Sequence, residues 1–133
     1  MTLEEVTGRR AMHELSLAQE VLRTVNDSAR DNGIRRVTRI KLVIGKMSGV
    51  LPEALRFSFD AGREIVPAWT PGLFAATRLD IAEKEATAKC RRCGEAFPVA
   101  DLFDLPRPCP ACGSTDLSLD GGLEMFIDLF EGD

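Results

Sequence analysis

The chain has 133 residues, of which 44% are hydrophobic and 29% charged, and its formal net charge is -4. That size and composition suit one compact domain with a small metal-stabilised module attached. The acidic balance argues against a protein built mainly to bind nucleic acid, and no apolar run approaches the length of a membrane-spanning helix.

Residues Met1 to Ala11 (MTLEEVTGRRA) are polar, charged and without a period. They read as a flexible leader that need not be native, and they lack the apolar h-region of a secretory signal. Met12, His13 and Glu14 follow. An amphipathic helix comes next, with Leu15, Ala18, Leu22, Val25 and Ala29 at three- and four-residue steps. Ser16 and Gln19 have capping-box spacing, which predicts a start near Leu17, and Gly33 predicts the stop. His13 then falls at or just before the helix start, on the surface.

Val37 to Ile44 (VTRIKLVI) is rich in β-branched residues and predicts a strand with Ile40, Leu42 and Ile44 on one face. Pro52 suits the first turn of a second helix running toward Ile65. Its expected buried stripe is Leu51, Ala54, Leu55, Ser58, Phe59 and Gly62. Pro67 and Trp69-Thr70-Pro71-Gly72 break the pattern as a loop. Thr77 to Glu83 alternates as a second strand, and Leu123 to Phe130 (LEMFIDLF) is a last, apolar one. The expectation is an α+β fold: a small mixed sheet of about three strands with two helices, plus an inserted zinc-ribbon-like four-cysteine module. The expected division is residues 12–86 with 119–133 as one α/β domain and 87–118 as the module. The apolar last strand, with Met125, Phe126, Ile127 and Phe130, would leave an edge open to pairing with another copy, so a homodimer is conceivable.

All four cysteines fall in two pairs, Cys90-Arg91-Arg92-Cys93 and Cys109-Pro110-Ala111-Cys112. Each CxxC places two thiols on one tight turn, and two such turns facing each other close a sulfur tetrahedron around a metal. Gly94 and Gly113 directly follow the second cysteine of each pair. A residue free to take positive φ there lets the backbone bend back and aim amides at the thiolates. Lys89, Arg91, Arg92 and Arg107 can offset the excess negative charge. Two disulfides would suit a secreted chain, and a thioredoxin-type site needs only one pair. Iron accepts the same four sulfurs, but zinc is the common occupant. Reduced thiols without an export signal point to the cytoplasm.

His13 is the only histidine, so the chain has a single imidazole to offer a metal or a proton. Taken alone it reads as a solvated side chain near a helix start. Its neighbours change that. Met12-His13-Glu14-Leu15-Ser16-Leu17-Ala18 resembles the opening of the HypA family (HypA/HybF), the nickel-insertion accessory proteins of nickel–iron hydrogenase maturation. Val37-Thr38-Arg39-Ile40, Ile44-Gly45 and Leu51-Pro52-Glu53-Ala54-Leu55-Arg56-Phe57 follow in the same order, then the CxxC pairs and an apolar final strand. The similarity runs from Met12 to nearly the end of the chain.

The resemblance implies a nickel metallochaperone and not an enzyme, with Ni(II) as transferred cargo and Zn(II) as a structural ion. It makes His13 the main nickel ligand, assisted by Glu14 and by backbone nitrogens around Met12 and His13. Cys90, Cys93, Cys109 and Cys112 would hold zinc. The implied partners are the nickel-delivering GTPase of that pathway and the hydrogenase large-subunit precursor, with urease as a second client in some relatives. Two departures stand out. The leader displaces the family's terminal Met to position 12, so its amine is free only if translation starts there. No histidine stands beside the cysteines, so the zinc site is expected to be all-thiolate.

Two other readings carry no nickel transfer. One is a zinc-ribbon module binding nucleic acid through Lys89, Arg91, Arg92 and Arg107, which lacks interleaved stacking aromatics. The other is a zinc-stabilised adaptor. Phe97, Leu102 and Phe103 could serve as contact residues or as the module's own core. No Ser/His/Asp or Cys/His nucleophile set and no phosphate-binding loop can be assembled from the sequence.

Overall fold

The computed structural model describes residues 14–100 and 107–133. The leader, Met12, His13, Leu102 and Phe103 lie outside the described residues. The described chain divides into two compact units, one of residues 14–43, 50–82 and 125–133, the other of residues 44–49, 83–100 and 107–124.

In the first unit the N-terminal apolar segment forms α1 (Glu14–Asp31), which buries Leu17, Ala18, Val21, Leu22, Val25 and Ala29, whereas Leu15, expected on the apolar stripe, is 41% exposed. Each large apolar side chain so buried contributes about 1.5–3 kcal/mol relative to solvent exposure. The helix starts at Glu14 and not near Leu17, so Ser16 stands exposed inside the first turn and caps nothing. The early start has two causes. Leu17 and Ala18 must already be in helical phase to reach the core, and a carboxylate in the first turn is favoured by the helix dipole. Gly33 ends the helix as expected, at φ 68. Its amide donates to Arg30 O at 3.2 Å and the Ile34 amide to Ala29 O at 2.8 Å, the paired bonds of a Schellman stop.

Strand β1 (Val37–Gly45) carries Ile40, Leu42 and Ile44 into the core. It lies in the middle of a three-stranded sheet between β2 (Arg78–Lys84) and β6 (Met125–Gly132). Arg36 and Asp133 exchange both backbone hydrogen bonds at 2.9 Å, and Gly45 N–H donates to Glu124 O at 2.6 Å, so β1 and β6 run antiparallel. The Thr77 hydroxyl donates to Val37 O at 2.6 Å, and Lys46 N–H donates to Lys84 O at 2.8 Å. These place β1 and β2 in the same sense, as strands joined through a helix must be. The sheet is therefore mixed. Across its outer face Arg39 reaches Asp80 at 2.6 Å and Glu131 at 3.2 Å. The Arg39 guanidinium, with Arg78, holds the Asp80 carboxyl below its ordinary range. The last strand begins at Met125, two residues later than expected, and Leu123 ahead of it is exposed.

The crossover helix is α2 (Pro52–Gly62), opened by Pro52 and burying Leu55, Phe59 and Gly62. Two expectations are corrected here. Leu51 is not part of the buried stripe: it is the N-cap, extended at φ -88 and ψ 119, and its side chain is 64% exposed. A residue outside helical phase cannot follow the helix's apolar face. The helix also stops at Gly62, short of Ile65. Beyond it the Arg63 guanidinium turns back to donate to Phe74 O at 2.9 Å and Thr77 O at 3.0 Å, fastening the loop before β2. Gly62 allows α1 and α2 to approach closely, since a Cβ there would stand 3.1 Å from Leu22 Cδ1.

The second unit contains its own three-stranded sheet, in the order β4 (Ala96–Val99), β3 (Ala86–Cys90), β5 (Leu117–Asp120). Both pairings are antiparallel, with Ala88 opposite Phe97 on one side and Leu119 on the other. Ala86, Ala88 and Cys90 alternate inward and meet Met47, Phe97, Val99 and Cys109. Phe97 is 7% exposed, so it belongs to the module's core and is not a free contact residue. No helix among the described residues is long and apolar enough to cross a membrane.

Candidate metal centre

Two turns of the same construction face each other in the second unit. In the first, Cys90 N–H donates to Glu95 O at 2.8 Å and Gly94 N–H to Cys90 O at 2.9 Å. In the second, Cys109 N–H donates to Ser114 O and Gly113 N–H to Cys109 O, both at 2.8 Å. Gly94 at φ 81 and Gly113 at φ 76 close these turns, in the left-handed region where a side chain is strained. The bend brings amides onto sulfur: Cys93 N–H approaches Cys90 Sγ at 3.4 Å, and Ala111 N–H approaches Cys109 Sγ at 3.4 Å. The Arg91 N–H donates to Asp116 O at 3.0 Å, and its guanidinium meets the Asp116 carboxylate at 3.1 Å. This ties the first turn to the start of β5.

The four sulfurs lie within 4.8 Å of one another. Cys90 Sγ is 3.6 Å from Cys112 Sγ, and Cys93 Sγ is 3.6 Å from Cys109 Sγ. Zinc–thiolate bonds of about 2.3 Å in a tetrahedron require sulfur–sulfur edges of about 3.8 Å. The donor set and its spacing therefore fit a closed Zn(II) site with no position left for substrate. Each turn contributes one buried thiol, Cys90 or Cys109, and one exposed one, Cys93 or Cys112. Among the described residues no other group of three or more His, Cys, Asp and Glu side chains is arranged to hold a metal. Of the four basic residues expected to offset the thiolate charge, Arg91 is engaged by Asp116 and Arg107 lies over the Phe97 ring at 5.3 Å.

The sulfurs differ in their readiness to ionise. Amides of Cys93 and Arg92, together with the Cys112 and Cys93 thiols, pull the Cys90 thiol down to about 6 against the opposing effect of burial. At Cys93 the Glu95 amide favours the thiolate, but the Cys109 sulfur, burial, and the Cys112 and Cys90 sulfurs outweigh it and push the thiol up to about 12. Near neutral pH the zinc-free centre thus presents the Cys90 thiolate and a protonated Cys93. Zinc needs all its sulfurs deprotonated, so binding expels protons and acid competes with the metal. The expected result is that zinc affinity rises with pH across the neutral range and that zinc is lost on acidification. Competition titrations with a zinc chelator at pH 6, 7 and 8 measure this, and a pH-independent affinity contradicts it.

Of the Met12-His13-Glu14 trio the structure describes Glu14 alone. Glu14 opens α1, and its Oε1 accepts the Leu51 N–H at 3.4 Å. Sequence reasoning misses that contact: it gives Glu14 an assisting place in nickel binding and puts Leu51 on the buried stripe of the second helix. A clue was present: Leu51 precedes Pro52 with no side-chain acceptor of its own and Ala54 three residues on.

A unit of two helices and a small mixed sheet, and a four-cysteine unit inserted in the sequence between β2 and β6, define a small α+β protein with a zinc-ribbon-type centre. The family model described as "Hydrogenase/urease nickel incorporation, metallochaperone, hypA" matches residues 12–132, and the chain belongs to this HypA family. It is 42% identical over 122 residues to the hydrogenase maturation factor HypA of Moorella thermoacetica, covering 92% of this chain and all of that one. It is 39% identical over 120 residues to the hydrogenase maturation factor HypA of Albidiferax ferrireducens, covering 90% and 98% of the two chains. Among solved structures, the solution structure of the nickel metallochaperone HypA from Helicobacter pylori superposes with a TM-score of 0.58 at 23% identity, over 91% of this chain and 97% of that one. A second solution structure of a HypA protein gives 0.61 at 22% identity, over 92% and 98%. These structures share the fold.

Proposed function

We propose that this chain is a metallochaperone that carries Ni(II) during maturation of nickel–iron hydrogenase while keeping one zinc ion as a permanent structural part. The observation that supports this most directly is the family match, which begins at Met12 and so takes in Met12, His13 and Glu14. In this reading His13 supplies the main nickel ligand, with Glu14 and backbone nitrogens around Met12 and His13 assisting, and Cys90, Cys93, Cys109 and Cys112 hold zinc. The two ions are kept apart by donor chemistry. Thiolates suit the tetrahedral, soft-ligand zinc site, and nitrogen and oxygen donors suit nickel. A site of few ligands at the head of a helix can pass its ion on by ligand exchange, whereas a closed four-sulfur site cannot.

The protein acts without catalysing a reaction of its own. Its proposed partners are the GTPase that delivers nickel in the same pathway and the hydrogenase large-subunit precursor, in the cytoplasm. Hydrogenase is favoured over urease as the client because the curated relatives are named hydrogenase maturation factors. The test is complementation. In a host deleted for its own family member, expression of this chain is expected to restore nickel-dependent hydrogenase activity at limiting nickel. Failure to restore it, with the protein soluble and zinc-loaded, leaves a zinc-stabilised adaptor as the better description.

A further inference from the structure

Phe57 is the most exposed large apolar side chain among the described residues, at 78%. It stands on the outer side of α2, turned away from the buried Leu55, Phe59 and Gly62. Glu53 precedes it by four residues and Asp60 follows it by three, so the three side chains line one ridge of the helix. Glu64 continues that line in the closing turn, where its N–H donates to Ala61 O at 3.3 Å. All four residues are exposed, and the alanines beside Phe57, Ala54 and Ala61, are small and half-buried. They leave the ring standing proud of its surroundings.

The ridge is acidic because the helix's own cations are turned away from it. Arg56 donates to Leu79 O, and Arg63 donates to Phe74 O and Thr77 O. Arg63 reaches one carboxylate of the ridge, Asp60 at 2.8 Å, which stays exposed. Among the described residues no Lys or Arg pairs with Glu53 or Glu64. A ring in water among three carboxylates has a definite complement, an apolar socket with lysine or arginine at its rim. Two copies of the ridge set face to face would oppose carboxylate to carboxylate. The phosphates of a lipid surface or a nucleic acid are repelled in the same way.

We infer that this ridge is the docking surface for the nickel-delivering GTPase, with Phe57 as the anchor and Glu53, Asp60 and Glu64 steering the approach. The partner's identity rests on the proposed function. Of the two partners named there, a GTPase must gather lysine and arginine around a polyanionic nucleotide, so its chemistry provides a positive surface. One aromatic anchor with a screened acidic rim makes a contact that forms fast and parts easily, as a carrier that docks and leaves requires.

The test is titration of the full, zinc-loaded chain with the purified GTPase, at about 50 mM and about 500 mM salt. Phe57→Ala is expected to bind about tenfold or more weakly at both. The double variant Glu53→Gln with Glu64→Gln is expected to associate about threefold more slowly at low salt and as fast as the parent at high salt. Leu123→Ala, which truncates an exposed apolar side chain of the second unit, is expected to match the parent. Because Phe57 lies on the surface, the zinc content and helical signal of its variant should match too. Unchanged affinity of Phe57→Ala for the GTPase overturns the inference. So does a loss seen only with the hydrogenase precursor, or a change in the chain's own oligomeric mass with GTPase affinity intact. If the parent complements the deleted host while Phe57→Ala binds the GTPase normally, this inference alone falls; if the parent fails to complement, the function it rests on falls as well.

Discussion

Cys90→Ser is expected to abolish stoichiometric zinc binding and to unfold the second unit. Cys90 holds two positions at once, as the last residue of β3 and as one of the four sulfurs placed to hold a metal, 1% exposed to solvent. Serine keeps the shape but offers no soft thiolate, so the tetrahedron loses a corner. The module cannot stand without it. Its core is Met47, Phe97 and Val99 around the small residues Ala86 and Ala88, with two of the cysteines completing it. Structural zinc supplies about 10–16 kcal/mol to modules of this kind, as much as the whole stability of a typical domain, about 5–15 kcal/mol. Metal analysis should find less than one zinc per chain, and amides of residues 83–124 should exchange fast. Chelation of the parent should give the same exchange pattern. A variant that keeps full zinc and full protection in β3, β4 and β5 contradicts the assignment.

His13→Ala is expected to remove nickel binding while leaving zinc content and helical signal unchanged. The sequence holds one imidazole, so no second one can take over. Loss of a group that merely supports a metal ligand costs about 10–100-fold in affinity, and loss of the ligand itself should exceed that. Acid should mimic the substitution in part, because a protonated imidazole no longer binds metal. Nickel titration of parent and variant at matched zinc content reads this directly. Equal affinities would mean that nickel is held elsewhere.

The parts of this structure legible in the sequence are those set by local chemistry. The four-sulfur cluster follows from two CxxC turns, each with a glycine where the backbone must take positive φ. Two strands of the sheet follow from the β-branched run at Val37–Gly45 and the apolar one at Met125–Gly132. What escaped was set by contacts distant in sequence. The module's sheet is built of strands four or five residues long, and the inward face of β3 is alanine and cysteine, too small to register as a hydrophobic alternation. Ser16 and Gln19 predict a start of α1 near Leu17, whereas burial of Leu17 and Ala18 forces the helix to begin earlier. The pairing of Glu14 with Leu51 spans 37 residues and depends on how two helices pack, which no local pattern encodes.

In the proposed function two metals divide the labour: thiolates retain one ion, and a single imidazole lends another. X-ray absorption at the zinc and nickel edges of one sample, loaded with both metals, tests that division most directly. The predicted result is four sulfur neighbours around zinc and only nitrogen and oxygen neighbours around nickel, the latter disturbed by His13→Ala. Sulfur in the nickel shell, with the zinc content of the same sample falling to match, would contradict it.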